Sequence, residues 1–374
     1  SVVVTTLEAG NRWLVTDDTG NRYVVFVFDS DDNGALDRLE ITDPHPLIQH
    51  SQYGILLTGT LTSLAANTEL KLVSDADIIS RGNINVFGAN SDLLIQSDRL
   101  VYLESFVDVR GDARIFGGIE ANGTSTNIAD PLIGSSVYVA TTSRIVTRDA
   151  GSLIDVRGAQ DVDLFGAFVA GGTIGATGVT FTGPSSSISV NAGQQVFLDT
   201  GLLASGTVTV TSGTPGADDT LTALFPGKTL PAADGNDLLS LVITTAGGIT
   251  PSGETTDQLG GGIVINAAGN IEIMGTLNAG ANISQRFDAQ GHFLGETVNY
   301  SNEPTTLTIN ATGRAFLGGH TLNQARELVQ TGAIMRAAHA MTINGGSFRT
   351  GEGLLVQAAS ELTVNDPDGS ITLT

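Results

Sequence analysis

The sequence predicts an all-β chain wound as a parallel β-helix, or β-solenoid, and three observations carry that prediction. A short motif recurs: Gly269-Asn270-Ile271-Glu272-Ile273-Met274-Gly275 reappears as Gly82-Asn83-Ile84-Asn85-Val86-Phe87-Gly88 and as Gly111-Asp112-Ala113-Arg114-Ile115-Phe116-Gly117. A slightly longer relative runs from Gly158 through Val162-Asp163-Leu164-Phe165 to Gly166. Within each copy apolar and polar residues alternate with period two, the mark of a strand with one buried face. Glycine closes both ends, where its tolerance of positive φ permits a sharp corner. Strands between corners, repeated along a chain, stack on one another.

Composition agrees with that architecture. Of 374 residues, 47 are Gly and 10 are Pro, and only 5% are aromatic, so the core falls to Val, Ile, Leu and Ala, with Phe as the large filler. A solenoid grows in one dimension and is not held to the usual domain size. The formal net charge is −22, and Lys71 and Lys228 are the only lysines. Such a surface repels phosphate backbones and anionic lipid, which argues against nucleic acid and membrane insertion, and it attracts divalent cations. There is no cysteine, hence no disulfide framework and no thiolate metal site. No apolar run approaches the roughly 18–20 residues that span a bilayer. The sequence opens without a basic-then-apolar leader and stops at Thr374 inside a strand pattern, so it is expected to be an excerpt of a longer protein.

Residues 1–50 read as a small antiparallel unit. Asn11–Thr16 and Arg22–Phe28 are its strands, and Asp17-Asp18-Thr19-Gly20 is the turn between them. Asp43-Pro44-His45-Pro46 then breaks the ladder. Residues 51–374 carry the β-helix, beginning at Gly54 with Ile55–Leu61 and Leu70–Val73. Glu120–Ser136 reads as a polar loop, and Val179–Thr182, Ser187–Val190 and Thr207–Val210 as alternating strands. Ser212–Gly262, with Pro215, Pro226, Pro231 and Pro251, loses the period and reads as a lateral insertion holding one strand, Leu241–Thr244. A second insertion, near 284–300, reads as a protruding hairpin around Gln290-Gly291. Thr321–Gly332 fits a short helix capped by Thr321, with Leu322, Ala325, Leu328 and Val329 on one face, or else an irregular rung. Met341–Gly345, Leu354–Gln357 and Leu362–Asn365 are the last strands.

One stretch has the spacing of a metal site. Asp29-Ser30-Asp31-Asp32-Asn33-Gly34-Ala35-Leu36-Asp37-Arg38-Leu39-Glu40 matches the twelve-residue calcium-loop pattern at every constrained position. Asp29, Asp31 and Asn33 would offer side-chain oxygens, Ala35 its carbonyl, Asp37 a direct or water-mediated contact, and Glu40 two oxygens. The flanks are strand-like rather than helical, and the alternative is a plain hairpin turning at Asn33-Gly34.

Signals of catalysis are thin. Asp108/Arg110 and Asp155/Arg157 could line up across coils as an acid–base face, but outward charged positions ending a strand and forming surface ion pairs are much the stronger account. The five histidines are scattered, with neither zinc spacing nor a Ser/His/Asp order.

The cadence of Ile263–Gly280, with strand, Ala-Gly, Asn-Ile, strand, Gly-Thr-Leu and Ala-Gly, resembles the coil repeat of filamentous-haemagglutinin-type bacterial surface proteins. The likeness is sharp over 263–280, weaker near 82–88 and 153–166, and one of style across 54–374. It implies a right-handed β-helix in a secreted bacterial adhesin. The Asn-Pro-Asn-Gly secretion signature and the Gly-Gly-x-Gly-x-Asp calcium nonapeptide are both absent.

The expected function is therefore structural and not enzymatic: a stalk, filament or adhesin shaft, extracellular or on the cell surface, with calcium as its one expected cofactor. Self-association or continuation into neighbouring repeats, and a glycan or other cell-surface ligand, are the partners this reading allows. The alternatives are a β-helical polysaccharide lyase or hydrolase and a carbohydrate-binding adhesin.

Overall fold

The computed structural model describes the strands within 2–51 by their backbone, and 54–374 apart from 58, 75–76, 120–134, 176–177, 184, 231–236, 252–260, 288–292, 301–304, 366–370 and 373–374. The chain is almost wholly β, with strands gathered into three long sheets of 14, 10 and 13 strands. From Leu61 onward, local hairpins apart, successive strands enter different sheets rather than pairing with one another. Leu61–Ser63 lies in the 14-stranded sheet, Glu69–Ser74 in the 10-stranded one and Asp77–Ser80 in the 13-stranded one, and Ile84–Val86 then returns to the first. This order of visits repeats toward the C-terminus, so the strands of the three long sheets pair in parallel with the strand from the next visit to the same sheet.

Along the parallel pairs the register holds, apart from shifts at Ser135/Val137 and Leu239/Leu241. Leu61, Ile84, Val107, Ile145, Phe168 and Leu202 form one inward column. Leu70, Leu93, Ala113, Ile154, Ile188, Val208, Ile263, Leu307 and Met341 form another. Ile78, Val101, Val137, Val162, Val196, Leu241, Ile271, Ala315 and Phe348 form a third. These residues are buried and belong to one apolar cluster running from Ile55 to Phe348. Slipping a strand by one residue would turn its apolar set to solvent, at roughly 1.5–3 kcal/mol per large side chain, so burial fixes the register.

The recurrent motif does not mark one face. Its copies supply Ile84–Val86 to the 14-stranded sheet, Ala113–Gly117 to the 10-stranded sheet, and Asp161–Leu164 and Asn270–Ile273 to the 13-stranded sheet. Gly-strand-Gly encodes a strand between corners and leaves the choice of sheet to the stacking.

At some corners backbones of successive circuits nearly touch. A β-carbon on Gly213 would lie 1.9 Å from the carbonyl oxygen of Gly193, and one on Gly82 would lie 1.8 Å from that of Gly59. Backbone cannot retreat as a side chain can, so Gly213→Val is expected to cost about 2–3 kcal/mol. A lowered midpoint in thermal unfolding would register it. An unchanged midpoint would mean that the corner is looser than described.

At the N-terminal end Val2–Glu8, Arg12–Asp17, Arg22–Phe28 and Arg38–Ile41 form an antiparallel meander. Its first strand also runs parallel to Leu61–Ser63 and so extends the 14-stranded sheet, and Ile48–Ser51 adds antiparallel to Gly54–Leu57 at the end of the 13-stranded sheet. The end strands of both stacks are thereby paired, which covers backbone groups that an open sheet edge would expose.

Ala281–Phe287 and Phe293–Tyr300 form the expected antiparallel hairpin. Two sequence readings need correction. Within 212–262, Leu239–Ile243 and Gly248–Pro251 are regular members of the 13- and 14-stranded sheets, so the excursion is shorter than its lost periodicity indicated. Leu239–Ile243 is buried on both faces, and a strand covered on both sides shows no alternation. The helix or rung expected at 321–332 is instead part of an antiparallel hairpin of Arg314–Leu322 with Leu328–Gly332. Its turn is built by Asn323, whose side-chain oxygen accepts from the Glu327 backbone N–H at 2.9 Å, and by Arg326 in the left-handed region at φ 58°.

Candidate functional site

Of the calcium-loop residues, Asp29, Asp31, Asn33, Ala35 and Asp37 lie outside the described residues. Glu40 stands on Arg38–Ile41 opposite Phe26. The stretch therefore connects two neighbouring antiparallel strands, Arg22–Phe28 and Arg38–Ile41. Among the described residues no group of three or more His, Asp or Glu is arranged to hold a metal ion.

The two Asp-Val-Arg-Gly copies do not line up. Asp108 is in the 14-stranded sheet and Asp155 in the 10-stranded one. Asp108 accepts from Arg148 Nε at 2.6 Å, and that guanidinium lies 5.0 Å from the Phe87 ring centre. Asp155 is 3% exposed and pairs at 2.7 Å with Arg157 of its own strand. Arg110 pairs with Asp149. Each charge is answered locally, and no shared acid–base face results.

The functional groups that do gather lie on the outer face of the 13-stranded sheet. Tyr102, Tyr138, Asp163, Phe197, Val242, Glu272, Phe316 and Arg349 occupy one in-register column there. Tyr102 and Tyr138 stack at 5.2 Å and 3°, Phe165 follows Tyr138 at 5.2 Å, and Phe197 follows Phe165 at 5.5 Å. The two tyrosines lie face to face and the phenylalanine contacts are tilted by 37° and 38°, so the ladder joins neighbouring strands of the sheet.

Three carboxyls crowd beside it. Burial raises Asp161 to about 7, against the Gln195 backbone N–H that donates to it at 3.0 Å, with repulsion from Asp219, Asp163 and Asp218 adding to the rise. Burial raises Asp163 to about 6, opposed by the hydroxyl of Ser135 and reinforced by Asp219. Asp219, at the start of the 213–238 excursion, rises to about 6 through burial, with the Gly216 N–H working against the shift and Asp218 with it. Tyr138 is raised as well, by burial first and then by Tyr102 and Asp163.

Further along the column the excursion and the hairpin of Arg314–Leu322 with Leu328–Gly332 border a cleft of about 280 Å3. On one side is a single helical turn, Leu221–Leu224, capped by the Thr220 hydroxyl, which accepts from the Ala223 N–H at 3.1 Å. Leu221 packs with Leu239, Val242 and Met274, flanked by Phe197, Leu224, Phe225 and Leu230. On the other side stands the hairpin, and the Lys228 ammonium joins the two by donating to the Arg326 carbonyl. The floor holds Glu272 and His320, whose side chains are each 1% exposed. His320 Nδ1 is 3.0 Å from Glu272 Oε1, its backbone N–H donates to Glu272 Oε2 at 3.2 Å, and its Nε2 is 3.2 Å from the Gln330 amide nitrogen. Phe316 meets the imidazole edge-on at 5.7 Å. Both ring nitrogens are engaged, which fixes the orientation of the imidazole. Asp199 also lines the cleft and accepts from the Thr244 hydroxyl.

Sequence reasoning missed this site, though a signal existed. Glu272 fills the polar slot of the recurrent motif, where the other copies carry Asn85, Arg114 and Asp163. His320, 48 residues further along the chain, gave no hint of its partner. Compared with known proteins, the chain matches no family model, no curated protein and no solved structure.

Proposed function

We propose that the chain is a right-handed parallel β-helix acting as the shaft of an extracellular or cell-surface protein. The observation that carries this reading is the set of unbroken in-register columns over one apolar cluster from Ile55 to Phe348, in sheets that the chain visits in rotation. Right-handedness is the hand that parallel β crossovers overwhelmingly take. An outer asparagine ladder supports a stiffening role. Asn310 donates to Asn266 at 2.9 Å, Asn344 to Asn310 at 2.6 Å and Asn365 to Asn344 at 2.7 Å, each amide bridging neighbouring coils. The absence of cysteine and the filamentous-haemagglutinin-like coil style support a secreted setting.

Because Leu93 stands beside Ala113 in register, residues 93–112 make up one circuit. Deleting them is expected to leave a folded chain with a cooperative melt, shortened by about 4.8 Å in solution scattering. An unfolded or aggregated product would overturn the stacked-coil reading. A shaft is also expected to give no turnover in lyase and hydrolase assays on polysaccharides, and turnover would favour the enzymatic alternative.

Calcium at residues 29–40 belongs to the same reading, since an ion there would stiffen the junction between two N-terminal strands. The crowded carboxylates Asp29, Asp31, Asp32, Asp37 and Glu40 supply the motive, each like-charged pair repelling by about 1 kcal/mol or more at close range. Calcium titration is expected to change Trp13 fluorescence saturably, Asp31→Ala to abolish the change, and magnesium to substitute poorly. A flat response at millimolar calcium would leave the plain hairpin.

A further inference from the structure

We propose that the cleft on the outer face of the 13-stranded sheet binds a small organic cation, an ammonium group carried on an apolar body. Its volume of about 280 Å3 suits one ring or one side chain rather than a polymer. The walls are largely apolar and include Phe197, Phe225, Met274 and Leu322. Among the described residues its ionisable lining is Asp199, Glu272 and His320, with no lysine or arginine.

The two carboxyls differ in one respect that decides the ligand. Glu272 is answered by His320. Asp199 has only the neutral Thr244 hydroxyl, and among the described residues no cation pairs with it. A carboxylate beside aromatic rings with no cation of its own favours a positively charged guest, through direct attraction and through the negative faces of the rings. A neutral guest would fill the space and leave Asp199 unanswered. An anion would be repelled by Asp199 and by the chain's net charge of −22, which draws cations toward the surface. The bridge from Lys228 to the Arg326 carbonyl holds the two walls together, so the cavity is built by the fold.

The inference does not depend on the shaft reading, since a cation site could sit on a β-helical enzyme as readily as on a stalk. Benzylamine, benzyl alcohol and benzoate share one body and differ in charge. Titrated into the whole chain and followed by calorimetry and ligand-observed NMR, benzylamine is expected to saturate. Benzyl alcohol should bind about tenfold more weakly or worse, and benzoate not at all. Asp199→Asn, which keeps the shape, is expected to weaken benzylamine by about tenfold and leave benzyl alcohol unchanged. Leu322→Trp, at a position 43% exposed on the cleft wall, should block all binding without moving the melting profile, and it serves as the deciding variant if Asp199→Asn alters folding. Equal binding of amine and alcohol, or benzylamine binding indifferent to both substitutions, would overturn the proposal and make the cleft a packing gap.

Discussion

Replacing His320 by leucine is expected to destabilise the C-terminal coils by about 3–5 kcal/mol, the range for removing one partner of a buried pair. Glu272 has 0% exposure and would keep only the backbone N–H of residue 320, which donates to Oε2. Its other oxygen would face apolar surroundings, Phe316 and Met274 among them, with nothing to donate to it. Changing both residues, Glu272→Leu with His320→Leu, is expected to recover most of the loss, because a well-packed apolar pair is often as stable as the polar pair it replaces. Chemical denaturation followed by circular dichroism, with proteolysis to locate the weakened coils, would measure both. A single-variant loss below about 1 kcal/mol would mean that the carboxyl finds water after all.

Stability is also expected to fall as pH rises from about 5 to about 8, through Asp161, Asp163 and Asp219. In the folded chain these carboxyls hold protons well above the ordinary aspartate value of 3.8, to about 7, about 6 and about 6. Folding therefore takes up protons at these sites. Their stabilising contribution is complete below 3.8 and is lost as the pH climbs through 6 to 7. Asp219 sits on the excursion while Asp161 and Asp163 sit on the sheet, so ionisation should loosen the excursion before the coils beneath it. Asp161→Asn removes the group with the largest rise, and the difference in melting midpoint between the two pH values is expected to shrink by about half. Hydrogen exchange at 213–230 should quicken with pH in the wild-type chain beyond the intrinsic base-catalysed rate, and much less in the variant. An equal pH response in both proteins would assign the dependence to other groups.

The all-β character and the parallel strand pairing were legible because the strands repeat one physical demand. Ile84, Ile115, Leu164 and Ile273 alternate with polar neighbours between glycines, and all four are buried. What escaped the sequence is how the outer face is covered. Leu239–Ile243 lost its alternation because Leu221 and Phe225 press on the side that would otherwise be wet. Leu322, Ala325, Leu328 and Val329 have helical spacing, yet Asn323 bonds to the Glu327 backbone and folds the segment into a hairpin. Glu272 with His320, and Asp161 with Asp219, meet only after intervening circuits have been laid down, and no local pattern announces a contact of that range.

The asparagine ladder has a consequence for the ageing of the molecule. Asn344 precedes Gly345, the dipeptide in which an asparagine side chain most readily cyclises onto the following backbone nitrogen and loses ammonia. Here the Asn344 amide is held at both ends, donating to Asn310 and accepting from Asn365, and the Gly345 N–H is itself engaged with the Asn365 carbonyl at 3.3 Å. Neither the carbonyl carbon nor the attacking nitrogen is free to swing into the ring. Asn344 is therefore expected to lose its amide more slowly than an Asn-Gly pair in an open loop, so that the ladder ages without gaining a charge at this rung.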